Sequence, residues 1–176
     1  MLEDAPPAGL PADEAERLLA LRESAFLESG TDLMLEAVVH RAAMLFNVPM
    51  AAVSLRDETR QVFKASIGLG LPFAAGDLAF CGDAALCNGP FFVLNARLDP
   101  RFAGNAVVQG RPGIRFYAAA PVVGPRQRPF GALCVMDRRS RPEVAKEELA
   151  ALEALAAEVS SIFATPGIEM KPERGW

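Results

Sequence analysis

A chain of 176 residues with three cysteines and a net charge of −4 can bury about 70% of its unfolded surface in one core, so it needs no disulfide framework. Its acids and bases are interspersed, which leaves no basic face for a phosphate backbone and excludes nucleic acid as a partner. Arg, Asp, Glu or Lys interrupts every hydrophobic run well before the roughly 20 residues a bilayer requires, so no membrane partner is expected; the odd set Cys81, Cys87 and Cys134, with no secretory signal before it, fits free thiols in the cytoplasm.

Residues 1–12, with Pro6, Pro7, Gly9 and Pro11, lack periodicity and read as a disordered leader. From Asp13, the residues Ala15, Leu18, Leu19, Ala25 and Phe26 recur at helical spacing, which predicts a helix to about residue 28. After Ser29-Gly30, Thr31 is placed to cap a second helix carrying Leu35, Val38, Val39, Ala42, Leu45 and Phe46, and Asn47-Val48-Pro49 ends it. The period then shortens to two. Ala51, Val53 and Leu55 oppose Ala52, Ser54 and Arg56, while Phe63, Ala65 and Ile67 oppose Val62, Lys64 and Ser66, which predicts a hairpin turning at residues 57–60. Residues 67–76 are rich in Gly and Pro and read as a loop. Asp77 can cap a short helix ending at Asn88-Gly89-Pro90, and Phe91 to Leu94 is a short strand.

From Asn95 to Gly113 the chain is irregular, with turn signals at Asp99-Pro100 and Arg111-Pro112-Gly113 and one helical turn near Phe102 to Gln109. Long crossings of this kind are often functional. Residues 113–122 and 130–137 form a final hairpin whose strands are apolar on both faces, so both sides of the sheet must be covered. Ser140-Arg141-Pro142-Glu143 reads as a capping box opening a long helix with the stripe Leu149, Leu152, Leu155, Ala156, Val159, Ile162 and Phe163. Thr165-Pro166-Gly167 stops it, and residues 164–176 are a polar tail. Helices at both ends with five short strands between predict one α+β domain over residues 13–163 with a mostly antiparallel sheet. The terminal helices take one face and residues 68–113 roof the other.

Phe80-Cys81, Asp99-Pro100-Arg101-Phe102, Gly113-Ile114-Arg115-Phe116-Tyr117 and the run from Phe130 to Asp137, in that order, resemble GAF domains, the small-molecule sensor modules of signalling proteins, over about residues 13–163. The resemblance implies a profilin-like antiparallel sheet of five or six strands, terminal helices that pair with a second copy, and a pocket enclosed by the inserted segment. The residues placed to line that pocket are Phe80, Cys81, Asp83, Ala84, Asn95, Phe102, Arg115 and Tyr117. The ligand is an unidentified small molecule, and no cofactor follows from the resemblance. Many relatives carry Phe-Cys-x-His, whereas Asp83 stands here, and a carboxylate disfavours an anion at that spot. The Asn-Lys-Phe-Asp-Glu signature of cyclic-nucleotide binders is missing, and the single histidine, His40, falls on the second helix, which argues against haem ligation or a bilin held beside a Cys-His pair.

No nucleophile elbow, P-loop, dinucleotide glycine pattern, metal-ligand cluster or kinase signature is present, so no catalytic or metal residue is named and a non-catalytic sensor is expected. One alternative is a thiol enzyme that reduces free methionine sulfoxide. Against it, Cys81 and Cys87 on one helix lie six residues, or about 240°, apart and cannot easily pair. The other alternative is a dimerisation scaffold whose own side chains fill the pocket. Arg115 and Tyr117 share a strand face, where an arginine and a phenol could hold a carboxylate or phosphate; the plainer reading pairs Arg115 with Asp99 or Asp83. Asp99 is read as the cap of the turn after it, with Phe102 plugging the core. The apolar stripe of the last helix matches the helix over residues 13–28, which predicts a homodimer through the terminal helices. Output then passes to a separate signalling effector that reads the helices, or the dimer contact is itself the output.

Overall fold

β-branched and small apolar residues in the last two strands leave them no face to turn toward water, and the rest of the chain is arranged around that fact. The computed structural model describes residues 11–24, 32–57, 61–69, 89–124 and 127–164. Its elements are α1 (Pro11–Glu23), α2 (Leu33–Phe46), β1 (Met50–Arg56), β2 (Gln61–Ile67), β3 (Phe91–Val93), α3 (Ala106–Gln109), β4 (Phe116–Val123), β5 (Pro129–Asp137) and α4 (Lys146–Ala164). The strands form one antiparallel sheet in the order β2-β1-β5-β4-β3, so the expected α+β architecture is observed. The short helix expected over residues 77–88 lies outside the described residues, as do Cys81 and Cys87. Among the described residues, no helix is long and apolar enough to cross a membrane.

Two apolar cores flank the sheet. On one side Val53, Leu55, Phe116, Ala118, Ala120, Val122, Leu133 and Val135 meet residues of α2 and α4. On the other, Met50, Ala52, Tyr117, Ala119, Ala132, Cys134 and Met136 meet Phe102, Val107, Val108 and Ile114 of the crossing between β3 and β4. The stripe on α4 packs on β4, β5 and α2 of its own domain. It therefore needs no second copy, and the argument for a homodimer that began from that stripe loses its motive.

Local sequence explains most element ends, with three corrections. Asp32 rather than Thr31 caps α2, its carboxylate accepting from the Met34 amide at 2.7 Å, and Asn47 closes the helix in the left-handed conformation at φ 51°. The last helix starts at Lys146, not within Ser140–Glu143. The Glu148 carboxylate folds back to the Ala145 amide at 3.0 Å, while Arg141 is engaged elsewhere: its amide donates to the Leu94 carbonyl at 3.0 Å and its guanidinium lies 4.6 Å from the Phe116 ring centre and 5.8 Å from that of Phe46. The alternation read for β2 breaks at Lys64. Val53 pairs with Ala65 and Ser54 with Phe63, so a bulge turns Phe63 to the crossing side and leaves Ala65 and Ile67 on the helix side.

α1 is fastened by one buried arginine. Arg17 is 3% exposed; Nε and Nη2 donate to the Glu14 carboxylate at 2.8 and 2.7 Å, and Nη1 donates to the carbonyls of Arg56 at 2.7 Å and Pro129 at 3.4 Å. One side chain thus joins α1 to the end of β1 and the start of β5. Hydrogen bonds from Arg17 hold the Glu14 carboxyl below the usual carboxylate range, against partial desolvation.

Two predictions follow from these contacts. A Cβ on Gly131 would run into the Ser54 carbonyl of β1, so Gly131→Ala should cost about 3 kcal/mol or more in urea unfolding. Arg17→Met should cost about 2–4 kcal/mol, because it leaves Glu14 and two carbonyls without their donor, and should speed amide exchange in α1 more than in β5. Since the native Glu14 pKa is lowered, its share of stability is fully present above the unfolded-state carboxylate pKa of about 4.3 and is lost as pH falls through the native value. An acid titration of α1 exchange should show that loss in the parent chain and none in Arg17→Met.

Candidate functional site

The sheet face turned toward the crossing is built in three rows fixed by strand register. The first row runs Phe63, Ser54, Ala132 and Pro121; the second Ser66, Ala52, Cys134, Ala119 and Phe91; the third Met50, Met136, Tyr117 and Val93. The third row is large and is filled in by Phe102, Val107, Val108 and Ile114. At the centre of the first two rows stand only Ser54, Ala132, Ala52, Cys134 and Ala119, all buried, with Phe63 and Phe91 toward the two sheet edges. A shallow floor of small residues with an aromatic at each side is the geometry expected beneath a small-molecule cavity.

The floor's polar atoms face its own backbone. Ser54 Oγ lies 3.5 Å from the Ala132 carbonyl and Cys134 Sγ 3.4 Å from that of Ala52. Cys134 is a buried thiol. Lys64, the bulged residue beside Phe63, is only 6% exposed, and burial pushes its ammonium pKa down. Sequence reading set Lys64 with Val62 and Ser66 on the face opposite Phe63; the bulge that takes it out of that alternation has no marker in the sequence.

Of the eight residues expected to line the pocket, Phe80, Cys81, Asp83 and Ala84 lie outside the described residues. The other four divide into two pairs. Phe102 and Tyr117 come together around Phe91, with ring centres 6.1 and 6.0 Å from it in edge-to-face geometry, and both are buried. Asn95 and Arg115 are taken up by backbone. The Asn95 side chain accepts from the Arg97 amide at 3.1 Å, and Arg115 Nη1 donates to the carbonyls of Val108 and Ile114 at 2.8 and 3.0 Å. The expected pairing of Arg115 with Asp99 is thereby corrected. Asp99 instead receives Arg101 Nη2 and Nε at 2.7 and 3.0 Å, and those bonds hold its carboxyl below the ordinary range.

Asp99 does cap its turn, accepting from the Arg101 amide at 2.9 Å, while its carbonyl accepts from the amides of Phe102 and Ala103. Sequence reading missed Arg101, whose guanidinium lies 5.4 Å from the Phe91 ring centre and 5.0 Å from that of Phe102. The four-residue run Asp99-Pro100-Arg101-Phe102 is thus one device: a cap, a rigid turn, a cation held over two rings and a core plug. Phe102→Ala should lower unfolding stability by about 3–5 kcal/mol. Arg101→Ala, removing an exposed cation from two rings and one carboxylate, should cost about 1 kcal/mol or less. Equal losses in urea unfolding would refute this division.

The family model of the GAF domain matches residues 31–163. Over 146 residues the chain is 41% identical to a cyclic di-GMP phosphodiesterase of Pseudomonas aeruginosa, a match that takes in 83% of this chain and 25% of that protein. The chain therefore spans about a quarter of the length of the curated relative it matches. This overturns the expectation that the chain is a non-catalytic sensor and not an enzyme, since the relative it matches is named for a catalytic activity, although the match takes in only a quarter of that protein. Among solved structures, a type II free methionine-R-sulfoxide reductase from Thermoplasma acidophilum superposes with a TM-score of 0.60 at 13% identity, over 82% of this chain and 94% of that one. The GAF domain from Acinetobacter phosphoenolpyruvate-protein phosphotransferase superposes with a TM-score of 0.59 at 21% identity, over 84% and 92%. At these identities the structural likeness carries the fold alone. With the family match covering α2, the whole sheet, the crossing and nearly all of α4, the chain belongs to the GAF domain family.

Proposed function

We propose that this chain is a sensory GAF module that sets the rate of cyclic di-GMP breakdown in response to a small molecule bound over the Ala52, Ala119, Ala132 and Cys134 floor. The observation that carries the reading is the 41% identity to part of a cyclic di-GMP phosphodiesterase. The row of small residues bounded by Phe63 and Phe91 supports it by offering room for a ligand at the sheet. In this proposal Phe80, Cys81, Asp83 and Ala84 supply the remaining wall, with Phe102 and Tyr117 forming its packed end.

The mechanism is a shift of population. A ligand that prefers one arrangement of the crossing biases the sheet by no more than its difference in affinity for the two states, and a tenfold preference is about 1.4 kcal/mol. The bonds from Arg17 to the Arg56 and Pro129 carbonyls and the stacking of Arg141 on Phe46 and Phe116 transmit that bias to α1 and α2. Pairing of two copies through outward surfaces of α1 and α4, where Leu19, Ala154 and Ala157 are exposed, belongs to the same proposal.

Exchange of the matched stretch of the Pseudomonas phosphodiesterase for this chain tests the reading. The hybrid should hydrolyse cyclic di-GMP, and the floor-filling changes Ala119→Leu and Ala52→Val should each alter that rate about fivefold or more while the hybrid stays folded by circular dichroism. Rates indifferent to both changes, in hybrids that fold, would refute it. A metabolite screen by thermal shift supplies the ligand, since a true one at 100 times its dissociation constant adds about 2.7 kcal/mol of stability.

A further inference from the structure

β3 covers only the first half of β4. Its terminal pair is Phe91 with Ala119, so among the described residues no strand pairs with that side of β4 from Ala120 to Val123. In an antiparallel ladder each residue aims its N–H and C=O at the same neighbour, and the direction alternates along the strand. The Gly124 amide donates to the Arg128 carbonyl in the β4–β5 turn, and the Val123 amide donates the opposite way, to Ser160 Oγ of α4 at 3.0 Å. The register irregularity here skips Phe130 of β5, with Val122 paired to Gly131 and Val123 to Pro129. β4 therefore keeps its alternation, and the carbonyls of Pro121 and Val123 point to the open edge. Pro121 has no N–H, and that of Val123 is already bonded. This edge offers acceptors and no donor, so it cannot accept an added strand in the usual way.

α4 runs beside the edge and encloses with it a groove of about 390 Å³ lined by Pro121, Val123, Gln127, Glu153, Ser160 and Ser161. Ser160 Oγ donates to the Ala156 carbonyl at 2.9 Å and Ser161 Oγ to that of Ala157 at 3.0 Å, so both hydroxyl hydrogens are engaged by the backbone of α4. Ala164, the final residue of α4, also lines it, which brings the negative end of the helix dipole to the groove, and the last turn of α4 holds no basic residue. Among the described lining residues Glu153 carries the one formal charge. An anion would face the Glu153 carboxylate and the edge carbonyls, with the neutral Gln127 amide as a side-chain donor in the same lining.

We propose that this groove binds a small cation rich in N–H donors, a guanidinium or primary ammonium on a short aliphatic chain, with its head between the Glu153 carboxylate and the Pro121 and Val123 carbonyls. The volume suits a ligand of amino-acid size. The site lies at the β4 edge of the sheet beside α4, away from the centre of the small-residue floor, and a ligand there bears directly on α4. Titration of the 15N-labelled full chain with agmatine and with putrescine tests it. The expected result is saturable shifts at the amides of Val123, Gly124, Ser160 and Ser161 with a dissociation constant of about 1 mM or below. Glu153→Gln, at an unchanged urea midpoint, should weaken binding at least tenfold, as should replacement of agmatine by the neutral N-butylurea. Absence of saturation with both cations, shifts scattered over the surface, or equal affinity in Glu153→Gln would overturn it.

Discussion

β5 lies between β1 and β4 with residues 130–136 buried on both faces, and every other layer exists because that strand cannot meet water on either side. Its helix-side residues Phe130, Leu133 and Val135 draw α2 and α4 onto the sheet. Its other face, through Ala132, Cys134 and Met136, draws the crossing. Gly131 lets β1 come close enough to complete the ladder. The α+β layering is therefore a consequence of one doubly apolar strand, and the order β2-β1-β5-β4-β3 is the hairpin sequence that places it in the middle.

How much of this was legible depended on the length scale of the signal. Strands and helices carried by sustained periodicity, such as α2, β4 and β5, could be read directly, as could the Asp99 cap, because an Asx turn is local chemistry. The start of α4 and the faces of β2 could not. Ser140-Arg141-Pro142-Glu143 has the letters of a helix start, yet Arg141 is held by Leu94, Phe46 and Phe116, contacts 25 to 95 residues away in sequence that no local pattern reports. The bulge at Lys64 is a property of how β1 and β2 meet. Of the two partners read for Arg115, Asp99 is not engaged by it and Asp83 lies outside the described residues; the acceptors it has, the carbonyls of Val108 and Ile114, exist only once the crossing has folded. In the candidate site, Phe102 and Tyr117 were legible as large apolar residues, whereas the small-residue rows came from register, which is set between strands and not along them.

Arginines join the layers of this molecule where apolar contact alone would leave them free to slide. Arg17 ties α1 to two strand ends, Arg115 ties α3 to the approach of β4, Arg138 donates to the Pro112 carbonyl at 2.9 Å, and Arg141 reaches α2, β4 and the crossing together. Arg17 holds carbonyls at the end of β1 and the start of β5, while Arg115 and Arg138 hold carbonyls of the crossing. In a sensor these are the contacts whose loss separates a change at the sheet from a change at the helices.

The floor formed by Ala52, Ala119, Ala132 and Cys134 is chemically neutral ground. Its few heteroatoms answer to their own main chain, so the sheet exerts little preference over what rests on it. A change confined to the layer that covers this ground would leave the ladder beneath it unaltered, because the four side chains bring no charge to that boundary.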